Sequence, residues 1–194
     1  MHPVYMCVSA SIGFRLHTGW AMFVAVADEG DPLRILHRCR VELLPSGTGR
    51  FVYHDAAQLP LAEAGRLINS IRQTAETTAR TNIRNAIAHL KVTRACISTT
   101  SASVPNDLGT VLHSHARIHA AEGALYFGAT ESACRDLGIP LVIVRECDVW
   151  RLASMSAHMS QADLKARIDG VRKNLGPPWT ADHKIAAAAA LVQA

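Results

Sequence analysis

Short apolar runs separated by turn-forming residues dominate the first part of the chain and recur further along it. Runs of this length, rich in β-branched residues and bounded by glycine, proline or aspartate, are typical of β-strands. The pattern predicts five strands, at residues 4–10, 20–27, 33–44, 93–99 and 141–145. Short turns join the first three, so we expect them to form an antiparallel meander.

A helical period replaces this pattern between residues 61 and 90, where apolar residues recur at steps of three and four. A second long helix is predicted over residues 107–137, with Asp107 as its N-cap. Ser160 and Thr180 are the predicted N-caps of two later helices, the last of which is rich in alanine. Helical crossovers make strands 4 and 5 parallel to strand 1. The sequence therefore predicts a single α/β domain over residues 1–194, with a mixed five-stranded sheet.

Composition narrows the class of protein. The 194 residues are 49% hydrophobic, and no apolar run approaches the roughly 20 residues that span a bilayer. We therefore expect a cytoplasmic protein without a membrane segment. Five cysteines, an odd number without paired spacing, are best explained as small buried thiols. A net charge of +4 permits a polyanionic partner without requiring one.

The segment SIGFRLHTGWA, residues 11–21, lies between the first two strands and is predicted to be a turn. It resembles the first hairpin of the RNase H-like Holliday-junction resolvases, whose pattern is roughly D-x-G-x-R-x-[TS]-G-[YW]-[GA]. The matching positions are Gly13, Arg15, Thr18, Gly19, Trp20 and Ala21. The segment ADHKIAAAAAL resembles the final helix of these proteins, and the predicted element order is that of the RNase H-like fold, which implies the strand order 3-2-1-4-5. We expect Gly13 and Gly19 to supply backbone angles that other residues avoid.

The resemblance implies a site in which three or four carboxylates hold two divalent cations that cleave phosphodiesters. In this sequence the strand 1 position is Ser11, with Ser9 before it, and the end of strand 4 offers Thr99 and Ser101. Only Asp182 matches an expected acid, and it would equally suit a helix N-terminus with no catalytic role. Because neutral hydroxyls cannot replace carboxylate charge, we expect the usual two-metal site to be absent.

Three polar residues of the predicted 107–137 helix, His115, His119 and Glu122, fall on its apolar face. We expect each to be mostly buried, with Glu122 hydrogen-bonded to one of the histidines or to a strand 1 hydroxyl. Two alternatives stay open. The trio could bind a divalent metal of the Zn²⁺ type or act as catalytic base and acid, or it could form a structural network.

Ligands of α/β sheets bind beyond the carboxyl ends of parallel strands. We expect that edge to collect a rim of hydroxyl and charged groups, namely Ser9, Ser11, Thr99, Ser101, Arg145, Glu146 and Asp182. Arg15 of the matched hairpin joins the candidate ligand-binding residues. For Arg145, an ion pair with Glu146 or Asp148 is the simpler interpretation.

These patterns favour a protein of resolvase-type ancestry that lacks the standard carboxylate site and contacts nucleic acid or a protein complex, with a homodimer as a further option. The alternative is an enzyme centred on His115, His119 and Glu122, such as a metal-dependent hydrolase. Nucleotide binding by an actin-like half-domain is disfavoured, because the chain is short and its turn lacks the phosphate-binding acid.

Overall fold

A computed structural model describes residues 8–29, 33–100 and 103–193. The elements follow in the order β1 (Val8–His17), β2 (Trp20–Ala27), β3 (Ile35–Glu42), α1 (Val52–Ala56), α2 (Leu61–Ala86), β4 (Leu90–Thr99), α3 (Leu108–Leu112), α4 (His115–Asp136), β5 (Leu141–Arg145), a 3₁₀ turn (Glu146–Asp148), α5 (Val149–Ser156), α6 (Gln161–Gly170), α7 (Arg172–Leu175) and α8 (Ala181–Ala190).

The five strands form one mixed sheet in the order β3-β2-β1-β4-β5. β1 pairs antiparallel with β2, and β2 with β3, whereas β4 runs parallel to both β1 and β5. The predicted fold class and strand order are confirmed. The strand directions follow from short turns, which force antiparallel neighbours, and from helical crossovers, which return the chain in the same direction.

Alternation along the strands gives the sheet two apolar faces. Ile12 and Phe14 of β1 lie in the core that α1, α2 and α4 cover. Val24 of β2 and Cys96 of β4 lie in the opposite core, under α5, α6 and α8. Among the helices of the described ranges, none combines the length and hydropathy that a bilayer span requires.

Helix α8 approaches β1 closely at Gly13. A Cβ atom on this glycine would lie 1.9 Å from the carbonyl oxygen of Ala186. The alanines at 186–190 are all buried, and their small side chains let the helix backbone reach the strand. The expectation that Gly13 supplies an unusual backbone angle is wrong: its role is to leave space. Gly19, with φ of +82°, takes the angle expected of it.

The segment predicted as a turn is mostly strand. β1 continues through Ser11 to His17, which pairs with Trp20, so the turn consists only of Thr18 and Gly19. Gly13 and Arg15, which suggested a turn, instead lie in the extended backbone of β1. This strand pairs with β2 and β4 and is contacted by α8. Ser11 therefore lies far before the end of β1.

The predicted 107–137 helix is interrupted. Asp107 is its N-cap, as predicted, and accepts a hydrogen bond from the Thr110 amide at 2.6 Å. The first segment, α3, ends at Leu112, and extended backbone at Ser114 (φ −136°) separates it from α4. Ser160, also as predicted, caps α6 by accepting a hydrogen bond from the Asp163 amide.

The cysteines fit the prediction of buried thiols only in part. Cys96 and Cys134 are buried, and burial raises the pKa of each thiol to about 12. Cys39 is half-buried, and burial raises its pKa to about 11. Cys147 is exposed, because it lies in the 3₁₀ turn beyond β5. Cys7 lies outside the described residues.

Candidate functional site

Arg15 is the centre of an ion-pair network at the carboxyl edge of the sheet. It donates two hydrogen bonds to Glu146, from Nη2 to Oε1 at 3.0 Å and from Nε to Oε2 at 3.2 Å. Its Nη1 donates to Oδ1 of Asp182. β1 places Arg15, the 3₁₀ turn after β5 places Glu146, and the first turn of α8 places Asp182. A guanidinium group therefore joins the two carboxylates of this edge and neutralises part of their charge.

His17 extends this network toward Trp20. Its Nε2 lies 3.4 Å from Oδ1 of Asp182, but that buried nitrogen makes no hydrogen bond. The imidazole stacks on Trp20 with a centroid separation of 4.0 Å, and the Arg40 guanidinium lies 4.3 Å from the Trp20 ring. Burial, assisted by the positive charge of Arg15, lowers the pKa of His17 below 6.5. The imidazole is therefore neutral near pH 7.

A cleft of about 410 Å³ separates the carboxyl edge from α4. The edge contributes a polar wall, which includes His17, Ser98, Thr99, Thr100 and Glu146. Helix α4 contributes a mostly apolar wall, which includes Ala116, His119, Ala120, Gly123 and Phe127. Of the residues proposed for ligand binding, Thr99 and Glu146 line the cleft directly. The cleft is large enough for a small polar ligand or one part of a longer polymer.

Ser9 and Ser11 do not belong to this edge, which corrects the prediction. Ser11 is buried and donates a hydrogen bond to Oδ1 of Asp28, whose Oδ2 accepts a second one from Thr93 at 2.8 Å. Arg15 is four residues further along β1, roughly 13 Å away. The carbonyl oxygen of Ser9 accepts a hydrogen bond from the backbone amide of Asp28 at 3.1 Å. Both serines therefore help to join β1 to the end of β2. Ser101 lies outside the described residues.

Arg145 forms an ion pair, as the simpler interpretation of this residue predicted. Its side chain is exposed and pairs with Asp148 at 2.7 Å. Glu146, the other carboxylate considered for that pair, turns to Arg15 instead.

The trio on α4 is only partly as predicted. Glu122 is buried, with 2% of its surface exposed, but His115 and His119 are exposed. Their predicted burial is wrong. The break at Ser114 makes His115 the first residue of α4, so both histidines lie in the first two turns of the helix, where the chain leaves the core. The prediction that Glu122 bonds one of these histidines or a strand 1 hydroxyl is also wrong. Its Oε1 accepts a hydrogen bond from Nδ1 of His54 at 2.8 Å.

His54 completes a cluster that the sequence analysis did not find. One ligand atom from each of His54, His115 and His119 can be chosen so that all three lie within 4.8 Å of one another. Nε2 of His119 lies 3.0 Å from Nε2 of His115. His54 belongs to α1, in a segment for which the sequence pattern predicted neither strand nor helix. The available signal was the apolar pair Val52 and Tyr53 just before it, which is buried and anchors the short helix.

The sheet order and its flanking helices define an RNase H-like fold. No family model matches the sequence, and a search of curated proteins finds no match. Among solved structures, the chain is similar to Thermus thermophilus RuvC, with 15% identity and a TM-score of 0.54 over 95% of this chain and 91% of that one. The same values of identity and TM-score hold for T. thermophilus RuvC in complex with a Holliday junction substrate, over 95% and 90% of the two chains.

The yeast mitochondrial Holliday junction resolvase Ydc2 is a further structural neighbour. Its identity is 9% and its TM-score 0.51, over 98% of this chain and 78% of that one. The chain therefore has the fold of the Holliday-junction resolvases, which confirms the resemblance at the level of the fold.

Proposed function

We propose that the chain is a nucleic-acid-binding protein of resolvase-type ancestry that does not cleave phosphodiesters by the two-metal route. The observation that carries this proposal is the contact of Arg15 with both Glu146 and Asp182. Two-metal hydrolysis needs carboxylates that are free to hold a pair of cations. Here a fixed positive charge joins the two carboxylates, repels a cation and occupies both oxygens of Glu146 and Oδ1 of Asp182.

Three features favour nucleic acid as the partner. The chain carries a net charge of +4. Trp20 stacks on His17, which lines the cleft, and supports the guanidinium of Arg40, an arginine that also pairs with Glu42. Aromatic rings with arginine are common contacts of bases and phosphates. RuvC, a structural neighbour, is described in complex with a Holliday junction substrate. We propose that branched or duplex DNA lies across the cleft, with Thr99 and Arg40 among its contacts.

The proposal is tested by measuring the binding of a labelled four-way junction, a matched duplex and a single strand at several salt concentrations. We expect affinity for the junction or duplex that falls as salt rises, because phosphate contacts release counterions. Arg40→Gln should weaken binding several-fold. Arg135→Gln is the matched control, since Arg135 is an exposed arginine of α4 paired with Glu131, and it should change little. Absence of salt-dependent binding to all three DNAs would overturn the proposal.

A metal-dependent hydrolase is a second candidate function. The supporting observation is that His119 belongs both to the histidine cluster and to the wall of the cleft. The residues proposed for it are His115, His119 and Glu122, now joined by His54. The test is Zn²⁺-dependent hydrolysis of bis(p-nitrophenyl) phosphate, which His119→Gln should abolish. Equal rates in the two proteins would exclude this function.

A further inference from the structure

The geometry points to a divalent transition-metal site formed by His54, His115 and His119, with Glu122 as a positioning residue rather than a ligand. The site is independent of the nucleic-acid proposal, whereas the hydrolase alternative would rest on it. It differs from the carboxylate site that the resemblance implies in both its donor atoms and its place in the fold. It is formed by α1 and the first two turns of α4, not by the network around Arg15 and Asp182.

The spacing of the histidines fits a metal of this size. Tetrahedral Zn²⁺ with Zn–N bonds of about 2.0–2.1 Å holds neighbouring nitrogen ligands about 3.3 Å apart. Nε2 of His115 and Nε2 of His119 are 3.0 Å apart. The three rings also converge, with centroid separations of 5.3 Å for His54–His115, 4.8 Å for His54–His119 and 4.4 Å for His115–His119. The His115 and His119 nitrogens need to separate by only about 0.3 Å, and the 4.8 Å limit on the three ligand atoms means that His54 has to approach by at most about 1.5 Å.

Glu122 explains why His54 can act as a ligand. Its Oε1 lies 2.8 Å from Nδ1 of His54 and 3.4 Å from the backbone nitrogen of the same residue. A carboxylate that accepts from Nδ1 fixes the proton there and leaves the Nε2 lone pair free for a metal. Carboxylate–histidine–metal arrangements of this kind orient the ring and make it a stronger donor. The almost complete burial of Glu122 holds this orientation in place.

The donor set selects the class of metal. Three neutral imidazoles suit Zn²⁺ and neighbouring transition metals, whereas Mg²⁺ and Ca²⁺ prefer oxygen ligands. Three protein ligands also leave one position of a tetrahedral ion open for water or an anion, as catalytic zinc sites do and structural zinc sites do not. Since His119 also lines the cleft, an anionic group held there would be close to the metal site.

The test is Zn²⁺ binding by the whole chain at about pH 7.5, measured by competition with a chromogenic chelator, together with Co²⁺ absorption spectra. We expect one equivalent of Zn²⁺ and the visible bands of tetrahedral Co²⁺. His119→Gln should lose at least about 100-fold in affinity, and Glu122→Gln about 10- to 100-fold. Glu122→Asp should restore part of the affinity. His89→Gln, at an exposed position in the turn between α2 and β4, is the matched control and should bind like the parent protein.

Circular dichroism shows whether each variant is folded. The Co²⁺ spectrum reports the ligand field of the metal, and Glu122→Gln would leave that spectrum unchanged if Glu122 had a purely structural role. Absence of stoichiometric binding, or equal binding by His119→Gln, would overturn the site. Neither result bears on the nucleic-acid proposal, whose test uses Arg40→Gln and DNA.

Discussion

Oε1 of Glu122 lies 2.8 Å from Nδ1 of His54, across 68 positions of the chain. The contact joins α1 to α4 on the side of the sheet that also carries α2. A carboxylate in such an apolar setting is stable only with a hydrogen-bonding partner, so the stability of this region depends on the pair.

Glu122→Ala should therefore lower the free energy of unfolding by about 1–3 kcal/mol, because it leaves Nδ1 of His54 without its partner and empties buried space. Glu122→Gln keeps the volume and one acceptor, so we expect a smaller loss. Urea denaturation followed by circular dichroism measures both. Gln73→Ala, at an exposed position of α2, is the control and should stay within about 0.5 kcal/mol of the parent protein. A Glu122→Ala variant as stable as the control would contradict this role.

The network around Arg15 leads to a prediction about catalysis. We expect no cleavage of Holliday junctions, RNA–DNA hybrids or single strands above background with Mg²⁺ or Mn²⁺, since Arg15 ties both Glu146 and Asp182. Asp182→Asn should leave DNA binding largely intact. Gel assays with purified protein measure cleavage and binding separately. Metal-dependent nicking that Asp182→Asn abolishes would show that Arg15 releases the carboxylates and that they bind metal.

The sequence predicted the order of elements well, because period and turn length are local properties. A run such as 141–145 is recognisable as a strand from its own residues, and the same holds for the helical stripe of α2. Connection lengths then indicated the strand directions, and the resemblance to the RNase H-like fold supplied the strand order. The capping residues Asp107 and Ser160 were predictable for the same reason, since each bonds an amide three positions away.

The candidate site was harder to predict because its contacts are not local. Ser11 was assigned to the wrong edge because the motif suggested an early turn, whereas pairing with β2 extends the strand to His17. The break at Ser114 makes His115 the first residue of α4, and a helical wheel does not show this because it assumes one continuous helix. His54 approaches Glu122 only through the packing of α1 on α4, and nothing near it in the sequence indicates that partner.

Gly13→Ala should destabilise the protein. The added Cβ would collide with backbone atoms of α8, the carbonyl oxygen of Ala186 at 1.9 Å and the amide nitrogen of Ala190 at 2.6 Å, which cannot move without shifting the helix. Overpacking of this kind costs about 1–3 kcal/mol or more. Gly128→Ala is the matched control, because a Cβ there meets nothing within 4 Å and alanine favours a helix by up to about 1 kcal/mol. The melting temperature should therefore fall in Gly13→Ala and rise in Gly128→Ala. An unchanged melting temperature in Gly13→Ala would contradict the close approach of α8 to β1.

His17 should make the stability of the protein depend on pH. Burial first, and then Arg15, lowers the pKa of His17 below its ordinary 6.5, although Glu146 acts in the opposite direction. Between the folded pKa and 6.5 the unfolded chain binds more protons than the folded one, so stability rises with pH in this window. Acidification through pH 6.5 should thus lower the urea midpoint, and the loss should level off below the folded pKa.

Burial also lowers the pKa of His183, whose effect on stability has the same sign and persists in a His17 variant. His17→Gln should therefore reduce the fall in midpoint between about pH 7.5 and about pH 5 without removing it, while His89→Gln should retain the fall. An unchanged pH dependence in His17→Gln would mean that Asp182, whose Oδ1 is 3.4 Å from Nε2, stabilises the protonated ring enough to cancel the cost of burial.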